Sequence, residues 1–202
     1  MRALLLIDIQ NDFLPGGSLA VPKGDAVIPV VNRLQEQFDL VVATQDWHPK
    51  SHKSFASNHE NKNPFEVTQL QGLEQVLWPD HCIQGLGGAA FSANLDMKRV
   101  EAIFRKGMDP NIDSYSGFYD NGYLKSTGLT DYLRGKQVRE VYVAGLAADY
   151  CVYFSAKDAL KEGFSTYIIE DATRAINLEG FEKAKKDIES RGGKIVQSHT
   201  LK

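Results

Sequence analysis

Cysteine is scarce in this chain: Cys82 and Cys151 are the two in 202 residues, and they do not make a disulfide framework for a protein of this size. Each is expected to be a free thiol, and an intracellular cysteine is most often a small, buried, inert residue. Long apolar runs are missing as well. Nothing approaches the ~18 residues that a membrane-spanning helix needs, so no membrane role is expected. Neither sign of charge dominates. With 23 Lys and Arg against 26 Asp and Glu, the formal net charge is −3, which gives no electrostatic reason to expect nucleic acid as a partner. The start, "MRALLLIDIQNDF", carries one basic residue and a short apolar run that ends at Asp8, without a small-residue cleavage site. It reads as a buried strand rather than a signal peptide, and a cytoplasmic protein is expected. Repeats, low-complexity tracts and linkers are also lacking, which leaves one domain over residues 1–202.

What the sequence does contain is a rhythm of short apolar runs followed by helix-like segments. Candidate strands fall at 3–9, 40–45, 101–106, 138–145, 165–171 and 194–198, with helical patterns at 24–37, 124–134, 149–162 and 179–191. Apolar runs without alternation suit strands covered on both faces, so an α/β fold with a parallel sheet is expected. Strand order is not readable from the pattern. The rhythm breaks at residues 46–100, where short helices are expected only near 71–76 and 90–96. This stretch holds His48, His52, His59 and His81 of the five histidines. A connection of that length is usually functional or disordered. Trp47, Phe55, Phe65, Trp78 and Phe91 argue against disorder, which would leave large apolar groups unburied.

In open α/β sheets ligands bind at the carboxyl ends of strands, and the chemically capable residues cluster at such positions here. Asp8 ends the first run, Asp46 and His48 follow the second, Lys106 closes the third, and Cys151 comes shortly after the fourth. Cys151 lies in "VYVAGLAADYCVYFSAKDAL", where a turn leads from a strand into a helix with Asp149 as a candidate cap. The helix dipole there favours thiolate, and unpaired N–H groups suit an oxyanion. Asp8, set among Leu4–Ile7 and Ile9, is expected to be part-buried with a raised pKa unless a cation compensates, and so suited to take a thiol proton. Lys106 is a candidate for that cation and for lowering the thiol pKa, while strand alternation sends Arg105 to the other face. Asp46 and His48 need a third ligand to hold an ion such as zinc; His81, in "WPDHCIQG", offers one, with His52, His59 and Asp80 as rivals. Taken singly, Asp8 reads better as a loop cap, Lys106 as a solvated strand end and Asp46/His48 as a wet loop. For Cys151 alone, nucleophile and packing residue are balanced.

Five segments, "LLLIDIQNDFLPGGSLAV", "VVATQDWHPKSHKSFASNH", "LWPDHCIQG", "FRKGMDPNIDSYSGFYDN" and "VYVAGLAADYCVYFSAKDAL", resemble in order the nicotinamidase/pyrazinamidase branch of the isochorismatase-like cysteine hydrolases. The DWHP and WPDHC stretches together are specific to that branch. The resemblance implies a three-layer α/β/α domain with six parallel strands, and hydrolysis of nicotinamide to nicotinate and ammonia in NAD salvage, with pyrazinamide as a related substrate. It implies a triad of Asp8, Lys106 and Cys151, with oxyanion-hole N–H groups from Ala147 and Cys151 and a cis peptide at Leu146–Ala147. One divalent metal is implied on Asp46, His48 and His81, zinc first, with iron or manganese as alternatives, positioning the pyridine ring. Phe13, Trp78 and Tyr119 are implied as ring walls. Leu86 after Gly85, and Ala148, depart from the family's usual threonines and bear on substrate range rather than on chemistry. Either a monomer or a homo-oligomer is compatible. Competing readings are a ureido-type amidohydrolase, an isochorismatase (disfavoured because its chemistry needs no cysteine), and a non-catalytic pyridine- or metal-binding relative.

Overall fold

The central apolar runs of the sequence become parallel strands because their side chains are covered on both faces. The computed structural model describes residues 1–201. Strand β1 (Arg2–Ile7) carries Ala3 to Ile7, all fully buried, and β2 (Leu40–Asp46) is buried along its length. A two-stranded antiparallel hairpin follows, β3 (Val67–Leu70) and β4 (Leu73–Val76). The main sheet continues with β5 (Val100–Lys106), β6 (Glu140–Leu146), β7 (Ser165–Arg174) and β8 (Lys194–Val196). All pairings in this six-stranded sheet are parallel, in the order β5-β2-β1-β6-β7-β8.

Alternate side chains divide between two cores. Leu4, Leu6, Val41 and Ala43 pack with Ile28, Val31 and Leu34 of helix α1 (Ile28–Leu34). Ala3, Leu5, Ile7, Val42 and Val143 face the other layer, made by α2 (Leu129–Gly135), α3 (Tyr153–Lys161) and α4 (Leu178–Ser190). This is the expected α/β/α domain. Each fully buried Leu contributes roughly 1.5–3 kcal/mol of transfer free energy, so the β1 run is a principal anchor of the fold.

Order reverses at the centre: β2 and β5 lie to one side of β1, and β6, β7 and β8 to the other. Such a switch point opens a crevice at the carboxyl ends of the central strands. Close approach there depends on Gly145, at φ +117°, because a Cβ would sit 2.1 Å from the Ile7 carbonyl oxygen.

Four local expectations need correction. The helix expected near 71–76 is β4, because Gln71 and Gly72 both take positive φ and close a two-residue hairpin turn. Residues 90–96 form turns, with one 3₁₀ turn at Gly87–Ala89. Helix α2 starts at Leu129 rather than 124, because Ser126 and Thr127 hydroxyls accept from the N–H groups of Gly128 and Leu129 and hold a turn instead. The 24–37 pattern is one α-helix flanked by 3₁₀ turns at Gly24–Val27 and Gln35–Gln37.

Candidate active site

Asp8 is the residue at which β1 stops. Its φ of +47° turns the chain out of the sheet, and its side chain is fully buried. Thr44, one strand away on β2, fixes it from both ends: the Thr44 hydroxyl donates to Asp8 Oδ1 at 2.6 Å and accepts from the Asp8 N–H at 3.2 Å. Lys106, last residue of β5, reaches across β2 to the same place. Its Nζ lies 2.9 Å from Asp8 Oδ2, 2.8 Å from Asp46 Oδ1, 2.9 Å from the Ser114 carbonyl and 3.4 Å from Cys151 Sγ. Arg105 faces away, its guanidinium 4.0 Å above the Trp47 ring, as strand alternation requires.

Cys151 enters from β6. The Leu146–Ala147 peptide is cis, and a wide, π-helical turn at Ala148–Val152 carries the thiol before α3 begins. Asp149 is not the cap of this segment. Its carboxylate accepts instead from the N–H groups of Ile176 and Asn177 and pins the β7–α4 loop over the site.

The electrostatics of the cluster differ from the sequence expectation in one respect. Burial pushes the Cys151 thiol well above its usual pKa, and Lys106 offsets this incompletely because Asp8 and Asp46 oppose it. The resting group is a thiol, not a thiolate. Burial also raises Asp8, with Lys106 and Thr44 pulling the other way. Burial would pull Lys106 down, but Asp46 and Asp8 hold it well above the usual lysine range. For Asp46, His48 and Lys106 outweigh the cost of burial and keep the carboxyl well below its ordinary value. The arrangement is therefore one ammonium between two carboxylates, beside a protonated nucleophile.

On the other side of Asp46 stand His48 and His81. Their Nε2 atoms lie 3.2 and 3.6 Å from Asp46 Oδ2, and the three potential ligand atoms all lie within 4.8 Å of one another. This spacing matches donors set around one ion with bonds of ~2.1 Å. The Nδ1 atoms of His48 and His81 face the carbonyls of Gly107 and Pro79, each at 2.8 Å. A carbonyl only accepts, so both rings carry a proton on Nδ1, and in the neutral form each offers the Nε2 lone pair to an ion. His52 is buried nearby, its ring centroid 4.4 Å from that of His48, and a second group of possible ligand atoms comprises His48, His52 and Asp113. Here, however, the Ser54 N–H donates to His52 Nδ1 at 3.1 Å. That places the neutral ring's proton on Nε2 and leaves no lone pair there for an ion. Burial lowers the His52 pKa to about 4. The donor set that fits a metal is Asp46, His48 and His81. His59 bonds the Lys53 carbonyl and Asp80 accepts from Ser57, both away from this cluster.

The loops are held by residues that sequence reasoning passed over. Gln10 brackets Asp46, its amide donating to the Asp46 carbonyl and accepting from the Asp46 N–H, both at 2.8 Å. Asp12 accepts from the Cys82 N–H at 2.7 Å, and the Cys82 carbonyl accepts from the His48 N–H at 3.0 Å, which ties the His81 loop to the His48 loop. A polar Gln between Ile9 and Asn11 was the available signal for the first.

Between the thiol and the histidines lies a narrow cavity of about 20 Å³, room for one or two waters, lined by Phe13, Trp78, His81, Ala147, Cys151 and Tyr150 among others. Asp46, Asp113, Tyr115, Leu19 and Ile176 complete it. Tyr119 does not reach it: its hydroxyl donates to Glu162 at 2.8 Å, and its ring packs on Tyr123. Tyr115 stands where Tyr119 was expected. Both lie in "SYSGFYD", and spacing alone does not choose between them.

Comparison with known proteins agrees with this geometry. The Isochorismatase domain model matches residues 2–200. The chain is 48% identical over 187 residues to the nicotinamidase of Escherichia coli, covering 91% of this chain and 87% of that one. The solved structure of an Acinetobacter baumanii nicotinamidase/pyrazinamidase superposes with a TM-score of 0.97 at 46% identity, covering 100% of this chain and 98% of that one. The pyrazinamidase of Pyrococcus horikoshii in complex with zinc gives a TM-score of 0.80 at 40% identity, covering 97% and 98%. The chain belongs to the isochorismatase family.

Proposed function

We infer that this member of the isochorismatase family is an amidohydrolase that cleaves nicotinamide to nicotinate and ammonia, with pyrazinamide as a second aromatic carboxamide substrate. The single observation carrying the reading is the placement of Cys151, Lys106 and Asp8 in one buried cluster, facing Asp46, His48 and His81 across an aromatic-lined cavity. The identity to characterised nicotinamidases supports the substrate, and a role in NAD salvage is consistent with the family.

Each residue has a defined task in this scheme. The Asp8 carboxylate, held charged by Lys106 and Thr44, accepts the proton of the buried thiol as Cys151 Sγ bonds to the carboxamide carbon. The backbone N–H groups of Ala147 and Cys151 are assigned to the developing oxyanion, where losing one such donor typically costs ~3 kcal/mol. Asp8 then returns the proton to the departing nitrogen as the C–N bond breaks, releasing ammonia. Water hydrolyses the resulting thioester, regenerates the thiol and yields nicotinate. Phe13, Trp78, Tyr115 and Tyr150 are assigned as walls for the ring, which enters as the narrow cavity between them widens, and they present the reacting carbon to Sγ in one orientation. Asp46, His48 and His81 are assigned to one divalent ion, with zinc first and iron or manganese as alternatives. When bound, that ion supplies a Lewis-acidic position for the pyridine nitrogen.

The deciding experiment is ammonia release over a panel of nicotinamide, pyrazinamide and linear ureido acids, with and without chelator, for the wild type and Cys151→Ala. Turnover of the two aromatic amides, lost in Cys151→Ala and reduced by chelator, is expected. Preferential turnover of ureido acids, or release that survives Cys151→Ala, would overturn the reading.

A further inference from the structure

Gln75 is an anomaly of position. It sits on β4 of a small surface hairpin, between exposed Glu74 and half-buried Val76, yet it is 2% exposed. Its side-chain amide turns inward, and the two N–H groups of Nε2 are shared among three acceptors: Asp113 Oδ2 at 2.9 Å, the Tyr115 hydroxyl at 3.0 Å and the Val76 carbonyl at 2.7 Å. Two of those acceptors belong to residues that line the cavity beside Cys151. The Tyr115 hydroxyl also accepts from Trp78 Nε1, more loosely, at 3.3 Å.

Tyr115 stands between two cavities. Behind it lies a second cavity of about 310 Å³, bounded by Leu73, Tyr123, Phe154, Lys157 and Tyr115 itself. An aromatic ring next to that much open space has somewhere to go. Its place against the narrow inner cavity depends on ring contacts with Trp78, Tyr150 and Phe154 and on the two hydrogen bonds to its hydroxyl.

We propose that Gln75 is a positioning residue for substrate binding, which holds Tyr115 and Asp113 so that the Tyr115 ring forms the wall of the pyridine pocket rather than swinging into the outer cavity. This rests on the amidohydrolase reading of the site. Without the Gln75 amide, Tyr115 divides its time between the two cavities. Apparent affinity then falls by the fraction of molecules with the wall in place. Loss of one neutral hydrogen bond shifts that equilibrium roughly fivefold, which sets the upper limit on the fall in affinity. Gln75 makes no contact with the Cys151, Asp8 and Lys106 cluster, so the chemical step is untouched.

The test is a double-mutant cycle between Gln75 and Tyr115 in the metal-loaded enzyme. Gln75→Ala is expected to raise the KM for nicotinamide by roughly two- to fivefold with kcat within twofold of the wild type. Tyr115→Phe removes the hydroxyl acceptor, and adding Gln75→Ala to it is then expected to raise KM by less than twofold more. Gln75→Met, which fills the same volume without a donor, replaces the alanine variant if the latter does not fold. Additive effects of the two substitutions, a fall in kcat at unchanged KM, or an unchanged KM would each overturn the proposal. Titration of tryptophan fluorescence with nicotinamide in a Cys151→Ala background reads the same coupling as a dissociation constant, independent of turnover. A wild type that neither binds nor hydrolyses nicotinamide would instead refute the assignment of the site.

Discussion

Replacing Thr44 by valine keeps the β-branched shape on β2 but removes the hydroxyl that donates to Asp8 Oδ1 and accepts from the Asp8 N–H. Two separate consequences follow. Asp8 acts as a base only when ionised, and burial already raises its pKa above the ordinary aspartate value of 3.8. The Thr44 bond favours the charged form, so its loss pushes the pKa further up. The acid limb of kcat/KM, where activity disappears as pH falls through the folded-state pKa, therefore moves to higher pH. A hydrogen bond to a charged group is worth ~1.5–3 kcal/mol. At 1.36 kcal/mol per pH unit, this corresponds to a shift of about one to two units. The second consequence is an unpaired, buried Asp8 N–H, which lowers stability by ~1–3 kcal/mol. The assay is ammonia release from nicotinamide across the acid range, with bound metal measured at each pH so that loss of the ion is not mistaken for protonation of Asp8. An acid limb that stays in place in folded, metal-loaded Thr44→Val would refute the assignment of Asp8 as the base.

Cys82→Ala is expected to retain turnover within about threefold, measured by ammonia release, because the buried Cys82 contributes its backbone to the Asp12 and His48 contacts while its thiol serves neither. His81→Ala should lower bound metal per chain in elemental analysis by at least tenfold in affinity, whereas His52→Ala should bind stoichiometrically, since the Ser54 N–H occupies its Nδ1. Gly107→Ala should also lose metal, with little change in far-UV circular dichroism. At φ +66° its new Cβ would lie 2.3 Å from His48 Cε1, and the imidazole would have to leave its place.

The sheet was legible because β1, β2 and β6 are apolar runs buried on both faces, the edge strands β5 and β8 being partly exposed, and the chemical residues stand at the ends of such runs. What could not be read is where the physics is tertiary. The hairpin at 67–76 is mostly exposed, so its apolar pattern is weak and Gln71–Gly72 was its clearest mark. The choice of Tyr115 over Tyr119 turns on which way an irregular segment faces, and neither periodicity applies there. The state of Cys151 depends first on its burial in the folded chain, which Lys106 offsets only in part against Asp8 and Asp46. His81 could be proposed from sequence, but the reason it outranks His52 is a pair of hydrogen bonds that set opposite tautomers.

The cluster around Lys106 draws one residue each from the ends of β1, β2 and β5, with Cys151 arriving after β6, and so gathers positions 8 to 151 of the chain. None of its pairs is local. During refolding from denaturant, loop closure over such separations comes late and slowly. Helical signal and hydrophobic collapse are thus expected to return before any turnover does. Recovery of activity then serves as a clock for completion of the sheet, and a fragment lacking any one of these four strands has no partial site from which to work.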